Sequence, residues 1–273
     1  MTIDAPLGWH VILRLVDGRV IAPRIDHRRR LTRIVHRHGR GRLLLAYRLV
    51  GDHLHVLLAC SREEAGKFAH AVEVALRKAL RIPVAFEAAR IRAVPDQRHL
   101  ENAFRYILRQ ERRHGLDIDP TMDASSLADL WGLRALGDSM RELHRDLLPR
   151  VRIGREEVGF TRGELVAAPM ALEHLADAAA AALGLTRIRG KGAERGAARA
   201  AAVKVGLAAG MTPATIAAAL GQHASGVRRL RDAEVAPELV RAVELQLRIR
   251  GLLASARATA RAAADGGAVE GAA

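Results

Sequence analysis

The stretch from Leu43 to Ala59 restricts the fold more than any other. Leu43 to Val50 is largely apolar and strand-like, Gly51-Asp52 is a turn pair, and His53 to Ala59 returns as a second strand. Successive strand residues point to opposite faces, so Leu54, Val56 and Leu58 share one face while His53 and His55 share the other. A hairpin of this kind commits the chain to an antiparallel sheet with one buried side. The other side carries two imidazoles.

The neighbouring segments extend that sheet. Trp9, Val11, Leu13 and Leu15 alternate with His10, Ile12 and Arg14, which reads as a first strand. Asp26 is placed to cap a helix whose apolar positions include Leu31, Ile34 and Val35, with Gly39 and Gly41 as its stop. Ser61-Arg62-Glu63-Glu64 is a capping box, and Ala65, Phe68, Ala69, Val72, Leu76 and Leu80 form one apolar helical face ending at Pro83. Val84 to Val94 supplies a fourth strand. From Pro95-Asp96 a further helix runs to His114, with Leu100, Phe104, Ile107 and Leu108 on its buried stripe and Gly115 as its stop. The order strand, helix, strand, strand, helix, strand predicts an α+β, ferredoxin-like antiparallel four-stranded sheet with helices on one face. The histidine face is then left open for the Tyr106 helix.

Beyond the sheet, Asp117 to Ser126 reads as a polar turn, a short amphipathic helix spans roughly Leu127 to Leu148, and Val151 to Gly163 reads as a linker. An Ala-rich helix follows over Ala168 to Leu183, then a basic, Gly-punctuated stretch from Arg187 to Arg199 that leads into an apolar helix ending at Ala209. Thr212-Pro213 opens the next helix, and a Gly221 turn leads to Arg-rich Ser225 to Arg231, as in a helix-turn-helix. Val240 to Leu253 forms one more helix. The expected division is 1–116 catalytic, 117–163 extension and linker, 164–255 an all-α helix-turn-helix DNA-binding domain, and 256–273 a disordered Ala- and Gly-rich tail.

Charge narrows the partner. The 273 residues carry 44 Lys and Arg against 30 Asp and Glu, a formal net charge of +14, which suits a polyanion such as nucleic acid. The basic residues are spread through amphipathic segments and form no juxtamembrane cluster, so no membrane partner is expected. Cys60 is the only cysteine, which excludes an internal disulfide or a thiolate zinc site and fits a reducing, cytoplasmic, nucleoid-associated setting. An aromatic content of 3% argues against a base-stacking platform.

Two imidazoles at alternate strand positions, His53 and His55, and the amide oxygen of Gln110 can supply three metal ligands, with open positions left for a phosphate. Tyr106 is four residues before Gln110 and projects from the same side of its helix. A tyrosine attacking a phosphodiester keeps the bond as a phosphotyrosine, so strands can later be rejoined. Arg105, Arg109, Arg112 and Arg113 surround this tyrosine with Glu111 as the single adjacent carboxylate, and phosphate binding is their expected use. Tyr47 has no ligand partner four residues on and is read as packing.

With His53-Leu54-His55, Tyr106-Ile107-Leu108-Arg109 and Gln110, the first 115 or so residues resemble the single-tyrosine HUH transposases of the insertion-sequence 200/605 group, REP-associated type. Trp9 to Arg14 is similar to that family's opening strand and brings Arg14 into the set of candidate DNA contacts. Gly51-Asp52 stands where family members often have Pro-Asn, a departure in a turn and not in a ligand. The resemblance implies a nucleophilic Tyr106, a metal held by His53, His55 and Gln110, Mg2+ or Mn2+ as cofactor, and transposase-type cleavage of single-stranded or hairpin DNA through a 5′-phosphotyrosine.

Gly190-Lys191-Gly192 and Met211 to Arg231 look like the DNA-binding domain of bacterial replication initiators, although Gln222-His223-Ala224-Ser225-Gly226-Val227 replaces the initiators' signature. This resemblance makes Lys191, Ser225, Arg228, Arg229 and Arg231 candidate contacts to duplex DNA. A domesticated regulator that binds DNA without cleaving it is the alternative, and a replication or conjugation nickase ranks below both. Monomer and homodimer are both compatible with the sequence.

Overall fold

In the computed structural model, residues 5–115, 123–136 and 139–267 are described. The chain begins with β1 (Gly8–Arg14), α1 (Ile25–Gly39), β2 (Leu44–Val50), β3 (His53–Leu58), α2 (Arg62–Leu80) and β4 (Arg90–Val94). The strands form one sheet in the order β2-β3-β1-β4, with every neighbouring pair antiparallel. Gly51 turns the β2–β3 hairpin with φ 55°, a left-handed conformation that glycine adopts without a steric penalty. Register then pairs Arg48 with His55 and Leu49 with Leu54. Because the side-chain period is two, this register sends Leu54, Val56 and Leu58 to one side, with Val11 and Leu13, against Leu31 and Val35 of α1 and Phe68, Val72 and Leu76 of α2.

Local signals set the helix ends only in part. Ser61 caps α2 by accepting from the Glu64 N–H at 3.2 Å, but the Glu64 carboxylate turns to Lys67 and Arg42, so the expected box is half formed. The cap residue of α1 is Arg24, while Asp26 sits in the first turn and pairs with Arg24 at 2.9 Å.

The helix expected to run to His114 is divided into α3 (Gln97–Leu108) and α4 (Gln110–Arg113), with Arg109 at φ −100° and ψ 16° between them. Side chains compete for backbone carbonyls at this break. Arg48 donates to the Leu108 carbonyl at 2.8 Å, and the Gln110 carboxamide donates to the Tyr106 carbonyl at 2.9 Å.

The second face of the sheet takes the Tyr106 helix, where it was expected, but is covered further by segments that were not. Ala46 and Leu57 pack there against Leu100, Phe104 and Ile107 of α3, and the same cluster takes in Leu127, Trp131, Val158 and Phe160. The single helix expected over Leu127 to Leu148 is two, α5 (Leu127–Leu130) and α6 (Ser139–Leu147), separated by Gly132 at φ 75°. The expected linker 151–163 holds α7 (Arg155–Val158) and the start of α8 (Arg162–Ala167), and buries Val151, Val158 and Phe160. These apolar residues close a hydrophobic surface that the sheet alone would leave in water. Residues 116–122 of the expected polar turn lie outside the described residues. Residues 123–126 run along β2, where Leu49 donates to Ala124 at 3.0 Å and Ser126 to Tyr47 at 2.9 Å, and so pair an edge that would otherwise be exposed.

The remaining elements are a 3-10 turn at Leu172–His174, then α9 (Leu175–Ala182), α10 (Ala193–Ala208), α11 (Pro213–Leu220), α12 (Ala224–Arg231) and α13 (Pro237–Gly267). Residues 168–171, expected as the start of the Ala-rich helix, are not helical. Thr212 caps α11 by accepting from the Thr215 N–H at 3.2 Å, with Pro213 in the first turn, and Gly221 at φ 60° ends it. Leu175, Val203, Ile216, Val227, Val243 and Leu247 form their core. Other α13 residues, Leu245 and Ile249, pack in the cluster beneath the sheet, so this helix serves both cores. Arg29, 2% exposed, joins the two halves by donating to Asp123 at 3.2 Å and to Asp177 at 2.6 Å. The tail expected to be disordered from Ala256 is helical as far as Gly267. An Ala-rich segment extends a packed helix without a new nucleation step. No described helix is long and apolar enough to cross a membrane.

Candidate functional site

Antiparallel register builds the site. His55 pairs with Ile12 of β1, which sets His10 diagonally beside it on the same face. The two rings stack with centroids 5.1 Å apart, and His10 Nε2 lies 2.9 Å from His55 Nδ1. From α3, the Tyr106 ring meets His55 edge-on at 5.6 Å and His10 at 5.8 Å. His53 lies 4.8 Å from His55 and 5.4 Å from His114, centroid to centroid. The structure therefore brings His53, His55 and Tyr106 together, and adds His10 and His114. Tyr106 and His114 open with the two hairpin histidines onto a cleft of about 650 Å³.

Hydrogen bonding leaves particular atoms free. His53 Nδ1 lies 2.7 Å from Asp52 Oδ1, so its Nδ1–H donates to that carboxylate, and Nε2 is the ring nitrogen a ligand could use. His55 Nδ1 is engaged by His10, and His55 Nε2 is buried with no partner among the described residues. Gln110 is fully buried and does not line the cleft; its Nε2 is used on the Tyr106 carbonyl, and its Oε1 has no partner among the described residues. Buried acceptors without partners are uncommon; His55 Nε2 and Gln110 Oε1 belong to two of the three residues expected to ligate a metal, and Asp129 Oδ1 and His144 Nε2 share the property elsewhere in the chain. Among the described residues no three His, Cys, Asp or Glu side chains converge as a metal site. Two imidazoles and an amide oxygen fit a hard divalent ion only if the ion brings its own oxygen ligands from water or phosphate.

Electrostatics keeps the His10 and His55 rings neutral. Burial, then the Arg92 charge, lowers His10 to about 4. Burial, followed by His10, His53 and His114, lowers His55 to about 2. Neutral imidazoles are the ligating form. Burial raises Asp52, but hydrogen bonds from His53 and Arg14 more than offset it and hold the carboxyl below its usual range.

The arginines sort differently from their sequence positions. Arg109 is neutralised by Glu156 and Glu157, each at 2.7 Å, so it is not available to phosphate as expected. Glu111 turns inward to the buried Arg48. Arg105 has Glu101 at 3.8 Å, and Arg14 is paired with Asp52 at 2.7 Å. Arg112 is exposed, and the exposed Arg113 lies over the Tyr106 ring, 5.0 Å from its centroid. Outside the lining of this cleft, Lys191, Ser225, Arg228 and Arg229 are exposed, while Arg231 pairs with Asp232 at 2.9 Å.

Tyr47, read as packing, is fully buried on the opposite face, where it accepts from Arg134 at 2.7 Å. Burial pushes its phenol far above the usual range.

Three residues of the site were not singled out from sequence. His10 shares the parity of Ile12 and Arg14, a legible signal, but only register puts it beside His55. His114 follows Gln110 by four, also legible. Arg92 carries no local signal. Comparison with protein-family models, with curated proteins and with solved structures returns no match.

Proposed function

We propose that this chain is a metal-dependent tyrosine transesterase that cleaves and transfers single-stranded DNA, of the HUH transposase type that its motifs resemble. The observation that carries the reading is the cluster itself: Tyr106 stands against His55, whose Nε2 has no partner among the described residues. The strand order β2-β3-β1-β4 with two helices on one face supports a ferredoxin-like catalytic unit spanning roughly 1–116. The α11, Gly221, α12 arrangement with exposed Arg228 and Arg229 supports a helix-turn-helix that holds duplex DNA.

His53 and His55 through Nε2, with Gln110 through Oε1, would hold Mg2+ or Mn2+. When bound, that ion supplies charge stabilisation at the phosphoryl oxygens. The residues of the chain do the rest. Tyr106 Oη attacks the phosphorus, a bond forms between them, and the bond from phosphorus to the 3′ oxygen breaks. The 3′ oxygen leaves as a hydroxyl and takes a proton, the phenol loses its own to solvent in the cleft, and the 5′ phosphate stays on Tyr106. Asp52 orients His53, and His10 fixes the His55 ring by its contact with Nδ1, in the manner of carboxylates and carbonyls behind metal-bound histidines.

The regulator reading draws on one observation, that Gln110 is fully buried and already donates to Tyr106. Incubation with 5′- and 3′-labelled hairpin-bearing strands and Mn2+ separates the two. The transesterase leaves the label of the 5′-phosphate side on protein in a denaturing gel, and Tyr106→Phe binds the strand without a covalent adduct. An adduct that survives Tyr106→Phe, or none from the unsubstituted protein across the panel, sinks the proposal.

A further inference from the structure

Four arginines line the cleft, Arg14, Arg90, Arg92 and Arg113, against two carboxylates, Asp52 and Glu87. The carboxylates are spent on two of them. Arg14 lies 2.7 Å from Asp52, and Arg90 lies 3.3 Å from Glu87. Among the described residues, Arg92 and Arg113 have no carboxylate within ion-pair distance. They also come from opposite walls. Arg92 is exposed on β4, the outer strand of the sheet, in register with His10, and Arg113 reaches over Tyr106 from α4. A cation left unneutralised in a partly enclosed cleft repels its like and is stabilised by an anion.

We propose that Arg92 and Arg113 are a two-sided clamp for the phosphodiester that Tyr106 faces. This rests on the reading of the cleft as a site for single-stranded DNA and names the groups that hold the strand there. Guanidinium forks suit phosphate oxygens because they donate in pairs. The open edge of β4 gives the strand its way in, and the paired Arg14 and Arg90 serve to shape the wall.

The test uses the full chain and a fluorescein-labelled single strand, with binding followed by anisotropy over a salt series in EDTA, then adduct formation followed with Mn2+. Arg92→Ala and Arg113→Ala each reduce the slope of log affinity against log salt by about 0.7, the value for one phosphate contact on a single strand. Each also slows the adduct. Arg92→Lys keeps the slope, since a point charge remains, but slows the adduct because the fork is lost. The charge-neutral double change Arg90→Gln with Glu87→Gln leaves the slope as it was. Arg92 and Arg113 are exposed, so melting curves of their variants overlay that of the parent. The clamp is overturned if either alanine variant keeps the parent slope and adduct rate, or if the Arg90 and Glu87 double change loses as much as Arg92→Ala. Binding without any adduct sinks the transesterase and leaves the clamp standing, while no binding by the parent sinks both.

Discussion

Replacing Glu111 by methionine leaves the Arg48 guanidinium, 1% exposed, buried beside the Tyr106 helix without its carboxylate. One hydrogen bond stays, from Arg48 to the Leu108 carbonyl at 2.8 Å. Breaking a buried pair from one side costs about 3–5 kcal/mol, because the surviving charge keeps its desolvation penalty. At about 2–4 °C per kcal/mol for a domain of some 150–250 residues, the melting midpoint falls by roughly 6–20 °C. Trp131 is buried in the cluster that Leu108 also joins, so tryptophan emission reports the transition. Removing both partners, Arg48→Met with Glu111→Met, eliminates the stranded charge, so the double variant melts above Glu111→Met. Because Arg48 grips both sides of the break at Arg109, its adduct formation is nevertheless slower than the parent's. A midpoint for Glu111→Met within 2 °C of the parent, roughly what 1 kcal/mol would shift, or a double variant no more stable than the single, would refute the reasoning.

Other consequences are open to measurement. A Gly→Ala change inside a helix usually adds about 1 kcal/mol, but a Cβ on Gly251 would sit 1.9 Å from the Pro169 carbonyl oxygen, so Gly251→Ala lowers the melting midpoint and a rise would contradict this packing. Burial raises the Asp177 carboxyl, yet its hydrogen bond and ion pair with Arg29, together with Arg250, bring it down to about 2. The folded value lies below the ordinary 3.8, so its contribution is complete above about pH 4 and is lost as pH falls towards 2. Comparing midpoints across that window checks this: Asp177→Asn is less stable than the parent at pH 6, and the gap narrows between pH 4 and 2. A gap independent of pH would remove Asp177 as the titrating group.

What the sequence by itself determined is what periodicity and short-range hydrogen bonding encode. Alternation along residues 53–58 separates the histidines from Leu54, Val56 and Leu58, and Ser61, Asp96 and Thr212 each accept from the N–H three residues on. Those relations reach across a turn of helix or a single hairpin, so a few neighbouring residues suffice to specify them. The charges followed another rule. Arg109 has Glu111 two residues away but is paired with Glu157, 48 residues on, and Glu111 turns instead to Arg48. The segment expected as a linker closes the face expected to be open, and its acidic residues arrive with it.

Tertiary structure alone decided which carboxylates meet which arginines, that His10 stacks on His55, and that Arg92 has no counterion among the described residues around the Tyr106 cleft. The physical reason lies in range and context. A side chain's face is fixed by backbone geometry within one element, whereas the strength of an ion pair depends on burial and on every charge that packing brings near.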